Sequence, residues 1–204
     1  MAKAREIPGL HAQMPFADAA AATVAVRAEE LFEHSKNVLD MTDIEHVHDM
    51  RVASRRLRAV LEIYAACFPP EQFKPLLREV KDLADALGAR RDPDVLLDHL
   101  AKLEGNLPKV NTPGIEAFAR PVREEQLEGN ATLAAALERA EHMNLRARLA
   151  ALAASAAAPD EVREPAAAAG PGPEPVPVPV VASAVVAGAD ADLDDVAVDG
   201  ASAA

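Results

Sequence analysis

Between Phe16 and Ala157 the apolar positions recur every three or four residues, the spacing of one helix face. Capping residues, prolines and glycines punctuate that pattern. It predicts six helices. The first runs over about 16–39, with Asp18 in its opening turn. The second spans 44–68, with Asp43 as N-cap and Pro69-Pro70 as its stop. The third covers 71–87 and ends at Gly88, a natural residue just past a helix end. The fourth opens at Asp92-Pro93 and ends near Gly105. The fifth spans 113–128, from Pro113 to Gly129, and the sixth, rich in alanine, spans 131–157. No stretch alternates as a strand would, and no internal repeat shows good identity. The expected fold is an all-α antiparallel helical bundle.

Composition agrees with this. The 204 residues include no Trp and one Tyr, and a core of Ala, Leu and Val suits packed helices. The single cysteine, Cys67, excludes an internal disulfide framework and fits a reducing compartment as a small core residue. No signal-like segment and no apolar run of about 20 residues stands out, so the expectation is a cytoplasmic chain without a membrane span.

The net charge of −12 is unevenly placed. Residues 159–204 hold nine acids against one base, Arg163, with seven prolines between Pro159 and Pro179. They carry −8, which leaves −4 for residues 1–158. Proline favours an extended path, and few bulky side chains are present to offset ordering entropy. Three regions are expected: a flexible N-terminus over 1–15, a helical domain over 16–157, and a disordered acidic tail over 158–204.

The segment HVHDMRVASRRLRAVLEIY, residues 46–64, carries the chemistry. On a wheel advancing about 100° per residue, His48, Arg51, Arg55 and Arg58 share a stripe about 80° wide. Met50, Ala53, Leu57, Val60, Leu61 and Tyr64 form a separate apolar stripe about 100° wide. Arg56 falls on the opposite flank. Arginines at helical spacing repel one another, so their crowding needs a cause. One cause is a ligand: the guanidinium fork pairs bidentately with phosphate, and positions 48 to 58 span about 15 Å, enough to track successive phosphates of a linear polyanion. The other cause is interhelical salt bridging to this acidic chain's own carboxylates. A shared metal is disfavoured, because His46 and His48 point about 200° apart on a helix.

A second cluster lies in ADALGARRDPDVLLDHL, residues 84–100, where Arg90 and Arg91 precede the expected helix start at Asp92. Backbone N–H groups at such a start form an anion site, although the Asp92 carboxylate would satisfy them as a cap.

Together the two blocks resemble the CHAD (conserved histidine α-helical domain) family. The matching residues run from His48 to Arg58 and from Leu87 to Leu97. The resemblance covers about 20–105 well and 106–157 loosely, and the tail lies outside it. It implies two four-helix bundles related by a pseudo-twofold, with a basic channel between them that takes inorganic polyphosphate. It also implies association with polyphosphate granules. Carried over by position, His48, Arg51, Arg55, Arg58 and Arg56 become phosphate contacts, joined by Arg91 and by Lys81 and Arg78. The family's second basic helix has no good match here: His142, Arg146 and Arg148 are the only candidates. The expectation is therefore half of the double bundle plus a remnant: either two chains pair into a homodimer that rebuilds the channel, or binding is weakened, or the chain is a degenerate relative.

An enzyme is not expected. The chain shows no Gly-rich phosphate loop and no ExExK-like carboxylate set for a catalytic metal, and no cofactor is implied. Nucleic acid is disfavoured as a ligand, because no aromatics interleave the basic stripe and the acidic tail would repel it. The alternative function is a helical adaptor whose arginines form interhelical salt bridges.

Overall fold

The computed structural model describes residues 3–158. They form five α-helices: α1 Phe16–Glu33, α2 Glu45–Ile63, α3 Pro70–Asn106, α4 Thr112–His142 and α5 Leu145–Ala154. Short 3-10 turns at Ala65–Cys67 and Lys109–Asn111 precede α3 and α4. No strand occurs among the described residues. The expected tail falls almost wholly outside them.

α1 packs against α2 and α5, while α3 packs against α2 and, along much of its length, α4. The core collects the apolar faces of these elements: Val24, Ala28 and Leu31; Val47, Met50, Leu57 and Leu61; Val80, Leu83 and Leu87; Leu133, Leu145 and Leu149. Cys67 is buried in it, and burial pushes its thiol pKa up. Nothing between Leu87 and Leu133 belongs to that core. The α3–α4 hairpin therefore projects beyond it, held by its own seam. No helix of the described residues is long and apolar enough to cross a membrane.

Several expected boundaries are corrected. The first helix ends at Glu33, not near 39, because Asn37 takes a left-handed φ of 58° that no α-helix accommodates. The second stops at Ile63 and passes into the 3-10 turn. Asp43 still serves its start, since Asp43 Oδ1 accepts the Glu45 N–H at 2.9 Å.

The larger correction is that the third and fourth helices are one. α3 runs 37 residues, about 55 Å at 1.5 Å per residue, straight through Gly88 and Pro93. Asp92 therefore caps nothing, and no helix start offers its N–H groups there. The break between the fifth and sixth helices also moves, from Gly129 to Asn144, which adopts φ 52°.

Gly129 lies inside α4 for a packing reason. A Cβ built on it would sit 2.7 Å from the Ala89 carbonyl oxygen and 3.0 Å from Arg90 Cα. Only glycine lets α4 come this close to α3. Ala89 is also the residue whose carbonyl loses its i+4 donor, because Pro93 has no N–H. This close approach of the two helices thus falls where the ladder of α3 is interrupted.

A buried polar set crosses the same level. Arg90, fully buried, forms an ion pair with Asp94 one turn on, and its Nε donates to Asn130 Oδ1 at 3.1 Å. Gln126 Nε2 donates to Asp94 Oδ1 at 2.6 Å. Asn130 Nδ2 reaches the Leu39 carbonyl at 3.4 Å. These bonds fix the register of α4 on α3. The segment before α1 has no helix, but Arg5 meets Glu33 at 2.9 Å and its carbonyl accepts from Arg27 at 2.8 Å.

Candidate functional site

The apolar stripe of α2 faces the core, with Met50, Ala53, Leu57 and Leu61 fully buried. Val47 and Ser54 are buried too, which brings the edge of that face up to the basic stripe. Arg51, Arg55 and Arg58 therefore emerge at the margin between α2 and α3.

There they line a groove of about 350 Å³. Its other wall comes from α3: Ala84, Asp85, Gly88, Ala89 and Asp92. The helices run antiparallel, so Arg58 lies toward the Asp85 end and Arg51 toward the Asp92 end. The groove is open because the α3 wall is built of small residues. A Cβ on Gly88 would meet nothing within 4 Å. Gly88, expected to stop a helix, instead keeps the groove's wall low. Ser54 spends its hydroxyl on the Arg51 carbonyl at 2.8 Å, which leaves the arginines as the cationic groups of the lining.

The other expected contacts divide. His48 is half-buried, one turn before Arg51, and is not among the lining residues. Arg91 donates to the Ile44 carbonyl at 3.4 Å and so ties α3 to the start of α2. Lys81 Nζ lies 3.1 Å from Glu62 Oε1, an α2–α3 ion pair one turn beyond the Arg58 end. Arg78 is exposed one turn before Lys81 and outside the lining. Arg56 leaves the groove altogether. It faces α1, with Nη1 3.2 Å from Glu30 Oε1.

Sequence reasoning missed two features. Asp85 and Asp92 place two carboxylates in the groove opposite three arginines. Both sit on the groove side of α3 seven residues apart, a relation that exists only because α3 is one unbroken helix. Arg90, expected just before a helix start at Asp92, instead lies inside α3 and is buried. Among the described residues no group of His, Cys, Asp and Glu could hold a metal ion. His46 instead lies 3.8 Å from Asp43 Oδ2.

A family model for the CHAD domain matches residues 22–201. The chain belongs to the CHAD family. The match reaches well past the two motif blocks and through the proline-rich segment, further than the resemblance in the helices alone implied. The groove is thus built from the two segments of the CHAD domain that carry its motifs. No curated protein and no solved structure matches the chain significantly.

Proposed function

We propose that this CHAD domain binds inorganic polyphosphate in the α2–α3 groove and does so without catalysing a reaction. The observation that carries this reading is the convergence of Arg51, Arg55 and Arg58 on one open groove whose facing wall is the short side chains of Ala84, Asp85, Gly88, Ala89 and Asp92. Guanidinium forks matched to phosphate oxygens, with no bulky side chain opposite, suit a linear polyanion lying along α2. His48 and Arg91, at the α2 N-terminal end, extend the path the chain would follow. The same reading puts the protein at polyphosphate granules in the cytoplasm.

The adaptor reading has its own support, since Arg56–Glu30, Lys81–Glu62 and Arg148–Glu79 all bridge helices. Arg51 and Arg58 favour the ligand, because neither makes an ion pair among the described residues. The test is titration of the full chain with polyphosphate of defined length beside single-stranded nucleic acid in one buffer. Saturable binding to polyphosphate is expected, weakened steeply by salt as counterions are released. It should be lost step by step in Arg51→Ala, Arg55→Ala and Arg58→Ala. Wild-type affinity in all three variants would make the stripe structural and leave the adaptor.

A further inference from the structure

Three basic side chains stand on α3 outside the groove but in line with it. Lys74, Arg78 and Lys81 recur at steps of four and three residues, within about 60° of one another around the helix. Asp85 and Asp92, on the groove wall, fall in that same sector, so the wall and the three cations share one face. That face turns away from the buried positions Leu76, Leu83 and Leu87.

The Lys81–Glu62 ion pair fixes where this row meets α2. Glu62 follows Arg58 by one turn, on the phase of Arg51, Arg55 and Arg58. Just beyond that pair α2 ends at Ile63, while α3 carries Arg78 and Lys74 onward for about 10 Å. Cations one turn apart on a helix repel, so the row has a cost. Nearby acids do not relieve it. Glu79, next to Arg78, is paired with Arg148, and among the described residues neither Lys74 nor Arg78 forms an ion pair.

We infer that bound polyphosphate leaves the groove at its Arg58 end and continues along α3 over Lys81, Arg78 and Lys74, so that the domain binds long chains in preference to short ones. This rests on the reading of the groove as a polyphosphate site. The extension lengthens the path from about 10 Å, Arg51 to Arg58, to about 25 Å, Arg51 to Lys74. A linear polyanion carries charge at every repeat and can meet each cation in turn. A short oligophosphate fills the groove and stops there. Glu62 holds Lys81 in the empty protein, but both side chains are about half-exposed, so the pair is weak and a phosphate displaces the carboxylate.

The experiment is calorimetric titration of the full chain with tripolyphosphate and, separately, with long-chain polyphosphate. It compares wild type with Lys74→Ala, Arg78→Ala, their double variant, Arg51→Ala and Arg120→Ala. Arg120 is exposed on α4 and controls for the loss of any surface cation. Lys74→Ala and Arg78→Ala should each weaken long-chain binding severalfold, with a shallower salt dependence, and leave tripolyphosphate binding at the wild-type value. Arg51→Ala should weaken both lengths, and Arg120→Ala neither. Arg78→Lys should keep most of the long-chain affinity, and Glu62→Gln, which frees Lys81, should raise it. All of these positions are on the surface, so melting temperatures should stay near wild type; should the double variant melt early, the two single variants carry the comparison. Wild-type long-chain affinity in the Lys74 and Arg78 variants, with Arg51→Ala still impaired, overturns the extension alone. An equal loss at both lengths overturns it too, since that would be a general effect of net charge. If wild type binds neither length, the groove reading itself falls and the extension falls with it.

Discussion

Arg56 and Glu30 form an ion pair 3.2 Å long across the α1–α2 seam, and Glu30 is only 1% exposed. Arg27 also reaches Glu30, at 2.5 Å, so two guanidinium groups neutralise one buried carboxylate. This relationship separates Arg56 from Arg55, its neighbour in sequence. Arg56→Ala should leave polyphosphate affinity near wild type and cost stability, about 1–3 kcal/mol for the loss of a partner to a buried charge. Arg51→Ala or Arg58→Ala should do the reverse, with affinity down roughly tenfold and the melting transition unmoved. Parallel titration and thermal unfolding of the three variants check this. An Arg56→Ala chain that melts normally but binds poorly would contradict the geometry.

Asp85 and Asp92 oppose any anion entering the groove. Asp92→Asn and Asp85→Asn, which keep shape and remove charge, should each tighten polyphosphate binding severalfold at low salt. The gain should shrink as salt is raised, because exposed charges are screened. Isothermal titration at two ionic strengths measures it. Weaker binding in both variants would show that the carboxylates help hold the ligand.

Two helical glycines should respond oppositely to the same methyl group. Gly129→Ala drives a Cβ to 2.7 Å from the Ala89 carbonyl, a backbone atom that cannot swing aside. A loss of about 1–3 kcal/mol is expected, as for other overpacked sites. Gly88→Ala meets open space and should stabilise α3 by up to about 1 kcal/mol. Chemical denaturation of the pair tests this. Equal effects would mean that α4 does not approach α3 at Ala89.

The α1–α5 seam should loosen in acid. Arg146 donates through Nε to Glu29 Oε1 at 3.1 Å and through Nη2 to Oε2, and this hydrogen bonding holds the Glu29 carboxyl below its usual range. A carboxylate with a lowered native pKa contributes stability that is complete above the ordinary carboxylate range and is lost as pH falls through the lowered value. Wild type should therefore melt slightly above Arg146→Ala at neutral pH, and the two should converge in acid. Melting curves across pH report the difference, which should be small because both side chains are largely exposed. A gap that widens toward low pH would reverse the assignment.

The helical class was legible without coordinates, because an apolar period of 3.6 persists from α1 to α5 and helices form wherever one face can be buried. The basic stripe was legible too, since the relative phase of Arg51, Arg55, Arg58 and Arg56 depends only on one helix's own geometry. That geometry put Arg56 on the far flank. The CHAD motifs, read through His48–Arg58 and Leu87–Leu97, named the family.

What the chain did not reveal is where helices stop. Gly88, Asp92-Pro93 and Gly129 are local stop signals worth about 1–3 kcal/mol each. Packing along the α3–α4 seam overrides all three, because continuity of one helix lets Arg90, Asp94 and Pro93 bury against the other. Asn144, just past the end of α4, and Asn37, four residues past the end of α1, carry weaker local signals and turn left-handed where the chain reverses. The groove belongs to the same level of organisation. Its wall is Ala84, Gly88, Ala89 and the two aspartates, residues that share a face only once α3 is unbroken. Phase within a helix is a property of sequence, whereas the partner that a face meets is fixed by long-range burial.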